Sequence, residues 1–175
     1  MLKALYDYGL RRQLTLPPGF IEKTVKAYIS LSEDNDRVSI YLGDDEQLPC
    51  PDMGSLAQGR DKCNVLVEKR SIVIPDAPAD GAKPAAKSAF FLETLRDASE
   101  EEPLKTCVRA LETPEIAEAI RAKLDHMKIK PGDRVSFRVN GNSMVESENI
   151  RRWWREYRKR FAKGDASPTE LCLIT

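Results

Sequence analysis

The sequence predicts an α+β fold: an antiparallel or mixed sheet with helices packed on it, drawn mostly from the second half of the chain. Three observations carry this. Apolar residues recur with a period of two at Val25, Ala27, Ile29 and Leu31 and again at Val38, Ile40 and Leu42, the mark of half-buried strands. After residue 88 they recur at helical spacing, as in Leu104, Cys107, Val108 and Leu111. Clusters of Pro, Gly, Asp and Ser separate these runs. The length of 175 residues suits one core, or one core with a small appendage.

In chain order, Leu2, Leu5, Tyr6 and Leu10 predict a short amphipathic helix ending around 11–14. "LPPGF" breaks it, because proline disfavours helical geometry in the residue before it. Residues 22–31 read as one strand, "SEDND" as a turn, and 38–42 as the returning strand of a hairpin. Residues 48–59, rich in Pro, Gly and Asp, read as a loop. "CNVLVEKRSIVIP" supplies one strand, or two short ones, around 65–67 and 72–74. Residues 75–88 have almost nothing to bury and predict a long exposed loop, a place where function often sits. "SAFFLETLRDA" and "PLKTCVRALE" read as helices. A third starts with Thr113 as N-cap and Pro114 at its first position, and buries Ile116, Ile120 and Leu124. "KPGD" ends it, "RVSFRVNG" is a strand running into a turn, a basic helix follows, and "ELCLIT" reads as a closing strand. A chain that stops on a strand predicts that 1–175 is a single N-terminal domain of something longer.

Lys plus Arg equals Asp plus Glu at 28 each, a balance unlike that of a free-standing nucleic-acid binder. The distribution is uneven. Residues 93–118 hold eight acids and three bases, and 33–52 seven acids and one base, so the basic excess gathers near the C-terminal end. The N-terminus carries Asp7 and no long apolar run, and no window is apolar enough to span a bilayer. Cys50, Cys63, Cys107 and Cys172 show no CxxC spacing and there is one histidine, so a zinc site would need scattered ligands. Reduced thiols in a soluble cytoplasmic protein, away from membranes, are the expectation.

Catalytic chemistry is hard to find. Neither GxxxxGK[ST] nor GxGxxG occurs, and His126 has no second histidine to build HExxH or a Ser-His-Asp set. It reads as a helix-end histidine. Asp44, Asp45 and Glu46 follow Gly43 at a strand end, where turns favour acids, and no lysine has an acid two residues before it, as a restriction-type nuclease would show. The expectation is a non-enzyme without metal or cofactor, with an unrecognised metal site around 44–52 as the one catalytic alternative.

The most informative stretch is "NIRRWWREYRKRFAKG", residues 149–164, with seven basic residues and Glu156 as the lone acid. Ile150, Trp154, Tyr157 and Phe161 fall on one helical stripe, which predicts that the aromatics dock the helix rather than stack on bases. Arg151, Arg152, Arg155 and Arg158 lie largely off that stripe. A solvated face normally mixes signs, so two readings stay open: a phosphate-gripping face, or plain solvation. A membrane-surface helix would leave the aromatic stripe exposed and fits poorly.

Taken in order, "MLKALYDYG", "LPPGF", the hairpin, the Phe-Leu of "SAFFLETL", "VSFRVNG", "IRRWWREY" and the final "LCLIT" resemble the large subunit of the type I-C CRISPR effector complex, Cascade. The likeness spans nearly the whole chain and rests on the order of many weak matches. It implies a non-catalytic N-terminal domain that recognises the protospacer-adjacent motif (PAM) in duplex DNA and starts strand separation for guide-RNA pairing. The implied partners are PAM-bearing duplex DNA, the guide-RNA complex, the other Cascade subunits (the guide-processing 5′-handle subunit and the backbone subunit), a recruited helicase-nuclease and phage-encoded inhibitors. The alternative is a scaffold whose basic helix binds RNA backbone or an acidic protein surface without reading a PAM.

The sequence departs from the family before the Phe-Leu pair. There the family's pattern runs Arg-Thr-Ser-Gly, with Asn immediately before Phe-Leu. Here Lys83 stands for the arginine, Ala85 and Ala86 for Ser-Gly, and Phe90 for the asparagine. Fewer polar groups remain to read a base, which implies a different PAM or a shifted correspondence. The candidate DNA contacts are Lys69, Arg70 and Ser71 between two strands, Lys83, Lys87 and Ser88 in the long loop, and Arg151, Arg152, Arg155 and Arg158 for the backbone. Phe90 and Phe91 read as core, with capping of an opened base step as the alternative.

Overall fold

The computed structural model describes residues 16–34, 36–44, 47–57, 61–76, 85–98 and 102–162. The opening helix, Asp45, Glu46, Lys83, the middle of the long loop, Cys172 and the closing strand lie outside the described residues.

The strands are β1 (Phe20–Thr24), β2 (Ala27–Leu31), β3 (Val38–Leu42), β4 (Gln47–Pro51), β5 (Glu68–Lys69), β6 (Arg134–Val139) and β7 (Asn142–Ser143). The helices are α1 (Arg70–Val73), α2 (Ala86–Asp97), α3 (Glu102–Glu112), α4 (Pro114–His126) and α5 (Glu148–Ala162). The main sheet runs β3-β2-β6-β5, with β7 also on β6. β2 lies parallel to β6 and the other pairings are antiparallel, so the sheet is mixed. β1 and β4 form a separate antiparallel pair.

The central strands β2 and β6 are buried on both faces, Tyr28 and Ser136 included. Ala27, Ile29 and Leu31 of β2 and Val135, Phe137 and Val139 of β6 are all buried and share one face by register. α4 packs on β3 and α3 on β6, bringing Leu104, Cys107, Ile120 and Leu124 onto that face. Thr113 is the N-cap of α4 and Pro114 its first residue, although the Thr113 hydroxyl turns back to the Arg109 carbonyl instead of capping. Asn140 and Gly141, at φ +49° and +81°, close the two-residue β6–β7 hairpin in the left-handed conformations such a turn requires.

Several expectations need correction. The strand read over 22–31 is two strands in different sheets, divided at Val25 and Lys26. The loop read over 48–59 contains most of β4, whose Pro49 and Pro51 are tolerated because β1 is its only partner strand among the described residues. Residues 65–67 are bends rather than a strand: all three side chains are buried and Leu66 has φ +64°. Residues 72–74 belong to the helical turn α1 and its cap, because Ile74 N–H returns to the Arg70 carbonyl. The long loop also ends earlier than 88, since α2 begins at Ala86.

Candidate nucleic-acid interface

α5 is fixed by its aromatic stripe. Ile150, Trp154 and Tyr157 are buried, and the Trp154 indole N–H donates to the Gly19 carbonyl at 2.7 Å. The Tyr157 hydroxyl lies 3.3 Å from Thr94 Oγ1 on α2, and Trp153 stacks on the Tyr157 ring with centroids 4.7 Å apart. Burial raises the Tyr157 pKa above its usual value, opposed by the Thr94 hydrogen bond. Phe161 meets Phe90 edge-on at 6.4 Å. Phe91 is core, while Phe90 is partly buried against it. These rings hold a helix in place and are not free to stack on bases.

With about 3.6 residues per turn, Arg158, Arg151, Arg155, Lys159 and Arg152 follow one another around roughly a third of the helix, beside the buried stripe. Glu148, in the first turn, falls within this arc, and Glu156 lies just past its outer border. Within it, Arg151 donates to the Val145 carbonyl at 3.0 Å and pairs with Glu148 at 3.3 Å, and Lys159 pairs with Glu156 at 2.7 Å. Arg160, on the other flank, pairs with Asp97 at 2.8 Å. Among the described residues Arg152 and Arg155 are exposed and have no ion-pair partner. The Arg158 stem lies over Gly19, where an added Cβ would meet its Cδ at 2.8 Å. Its Nε is buried without a hydrogen-bond partner, and its guanidinium reaches the Gly54 turn.

The remaining candidates do not join this arc. Lys69 and Ser71 are exposed at the junction of β5 and α1. Arg70 between them is buried: it donates to the Ile129 carbonyl and pairs with Asp125, so its charge is spent holding the α4–β6 connection. This corrects its reading as a DNA contact. Lys87 and Ser88 fall in the first turn of α2, not in a loop. The Lys87 carbonyl accepts from the Cys63 thiol at 3.3 Å, and Ser88 is buried with its Oγ unpartnered, so Ser88 offers no polar group at the surface.

Sequence reasoning missed Lys26 and Arg134, both exposed. Arg134 is the cross-strand partner of Lys69, and its carbonyl accepts the Lys26 N–H at 2.8 Å. Only the β2-β6-β5 strand order brings these three positions together, and nothing in their sequence spacing signals it. Lys23, by contrast, is buried and held by Asp52 at 3.2 Å and the Pro51 carbonyl at 3.0 Å. Asp52 also accepts the Gly54 N–H, so its carboxylate is committed to structure. His126 is the last residue of α4 and is exposed, as a helix-end histidine should be. Among the described residues no three His, Cys, Asp or Glu side chains converge as metal ligands, and no helix is long and apolar enough to cross a membrane.

The family model described as CRISPR-associated protein (Cas_Csd1) matches residues 2–175. No curated protein matches the chain.

Proposed function

The chain belongs to the Cas_Csd1 family of CRISPR-associated proteins, and from that premise we propose that it is the N-terminal domain of the large subunit of a type I-C Cascade. In this reading it catalyses nothing. It recognises the PAM in duplex DNA and helps begin strand separation, so that guide RNA can pair with the target strand. The observation that carries the reading is the predominantly basic arc on α5, five cations around Glu148. In a chain of zero net charge, Arg152 and Arg155 stand exposed on a docked helix without an ion-pair partner among the described residues, and the Arg158 stem packs closely on Gly19 with its guanidinium near Gly54. Such an arc suits phosphates, which position a duplex without specifying its sequence. Reading falls to short polar side chains elsewhere, with the exposed Ser71 at the β5–α1 junction best placed for it.

One observation favours the scaffold alternative: Ser88 is buried and Lys87 half-buried, which removes base-reading groups the sequence had offered. A randomised-PAM duplex library, bound by the assembled complex, separates the two. A PAM reader enriches a short motif, and Ser71→Ala weakens the enrichment. The Arg152→Glu, Arg155→Glu variant lowers affinity for every duplex alike. No enrichment by the wild type, with binding lost only in the α5 variant, would leave a phosphate-gripping scaffold and overturn PAM reading.

A further inference from the structure

Lys26, Arg134 and Lys69 occupy neighbouring backbone positions at one end of the main sheet. Ala27 is the register partner of Val135 and Arg134 that of Lys69, and the Lys26 N–H bonds the Arg134 carbonyl. Three successive strands therefore present three cations in a line, with backbones spaced about 4.8 Å apart. Like charges at neighbouring cross-strand positions destabilise a sheet, so such a row calls for a compensating anion. The nearby carboxylates do not supply one. Glu68 accepts from the backbone N–H groups of Asn64 and Lys69 and from the Asn64 amide. Asp133 accepts the Lys130 N–H at 2.7 Å, and Asp125 is taken by Arg70. Asp44 is exposed and pairs with none of the three. Among the described residues all three cations are exposed and without an ion-pair partner.

The shape of the row indicates its ligand. Three cations converging on a point would suit a small anion; three in a line suit a polymer with regularly repeated charge. We propose that Lys26, Arg134 and Lys69 form a second binding site, for the phosphate backbone of duplex DNA. This rests on the DNA-binding reading above and adds to it a track built on the sheet rather than on a helix.

The test is the salt dependence of binding by the full chain to a short labelled duplex, followed by fluorescence anisotropy between about 50 and 200 mM salt. Each phosphate no longer neutralised lowers the slope of log K against log[salt] by about 0.9, so Lys26→Gln, Arg134→Gln and Lys69→Gln together should lower it by about 2.7. Arg134→Lys, which keeps the charge, should keep the slope, and thermal melts should show the variants folded. Arg152→Gln with Arg155→Gln provides the comparison. A slope unchanged in the triple variant but lowered in the α5 variant overturns the row and leaves the DNA-binding reading standing. Wild-type chain that binds no duplex even at low salt overturns both.

Discussion

Arg70→Met separates a structural cation from its functional neighbours. Methionine keeps much of the stem and removes the charge. Two interactions go. The first is the hydrogen bond to the carbonyl of Ile129, a residue 3% exposed, so that carbonyl loses a charged donor in a buried place. Bonds of this kind contribute about 1.5–3 kcal/mol. The second is the ion pair with Asp125, whose side chain is 62% exposed and regains water at once, so its loss costs at most about 1 kcal/mol. The sum is about 1.5–4 kcal/mol, a fall in Tm of roughly 3–16 °C for a domain of this size. Asp125→Asn keeps the Ile129 hydrogen bond and should cost under about 1 kcal/mol. Lys69→Met, one residue away and exposed, should stay within about 0.5 kcal/mol of wild type.

The assay is a thermal melt of the three variants beside duplex binding at matched salt. The expected pattern is crossed: Arg70→Met lowers Tm and leaves the salt slope of the folded protein unchanged, whereas Lys69→Met lowers the slope and leaves Tm unchanged. If Arg70→Met melts within about 2 °C of wild type and loses as much slope as Lys69→Met, the guanidinium faces solvent and the structural account of Arg70 is wrong. A combined Lys69, Arg70 alanine variant cannot make this distinction, because it mixes unfolding with weakened DNA binding.

Three further outcomes test the fold. Burial pushes the Cys50 thiol up to about 11 against the opposing pull of Lys23, and burial helped by Glu68 pushes Cys63 up to about 12; burial drives Cys107 up as well. Iodoacetamide at pH 8 should therefore spare these three thiols in the native chain, as peptide mass spectrometry would show, and modify them after unfolding; fast native labelling of any of them would contradict its burial. Because the native thiols keep protons that the unfolded ones release, stability should fall from about pH 9 upward, through about pH 11 for Cys50, by about 1.4 kcal/mol per pH unit for each thiol; flat denaturation midpoints from about pH 8 to about pH 10.5 would refute this. Gly43→Ala drives a methyl group into the Val25 carbonyl oxygen at the foot of the β2–β3 hairpin. It should cost about 3 kcal/mol or more, and a variant melting like wild type would show that the backbone there is laid out differently.

What the sequence revealed and what it concealed divide along physical lines. The β2–β3 hairpin, β6, α4 and the aromatic stripe of α5 were legible because each is set by local periodicity and capping: Leu31 meets Val38 across the turn, and Ile150, Trp154 and Tyr157 are buried as their spacing required. The failures involve tertiary context. Val25 and Lys26 continue the alternation of their neighbours, yet the chain changes sheets there, because the Lys26 N–H finds the Arg134 carbonyl 108 residues away. Residues 65–67 have strand composition, but all three face the interior, which no strand with one wet face permits. Arg70 and Lys69 are equivalent to a composition argument; only the approach of Asp125 and Ile129 makes one a strut and leaves the other exposed.

The same reasoning changes what zero net charge means. Much of the positive charge is consumed inside the fold: Lys23 by Asp52, Arg70 by Asp125, Arg121 by Glu118, Arg151 by Glu148, Lys159 by Glu156 and Arg160 by Asp97. Among the described residues, cations left without such a partner include two contiguous groups, Arg152, Arg155 and Arg158 on α5 and Lys26, Arg134 and Lys69 across the sheet end. A neutral total therefore does not forbid a polyanion track. It limits how strongly the chain alone can hold one, because the far field vanishes and only charges within about a Debye length, about 8–10 Å, act. A duplex held in register by other subunits meets such a track at high effective concentration, and there a few local phosphate contacts are enough. In the proposed reading, the chain therefore works within an assembly, where its short-range charges act on DNA already brought close.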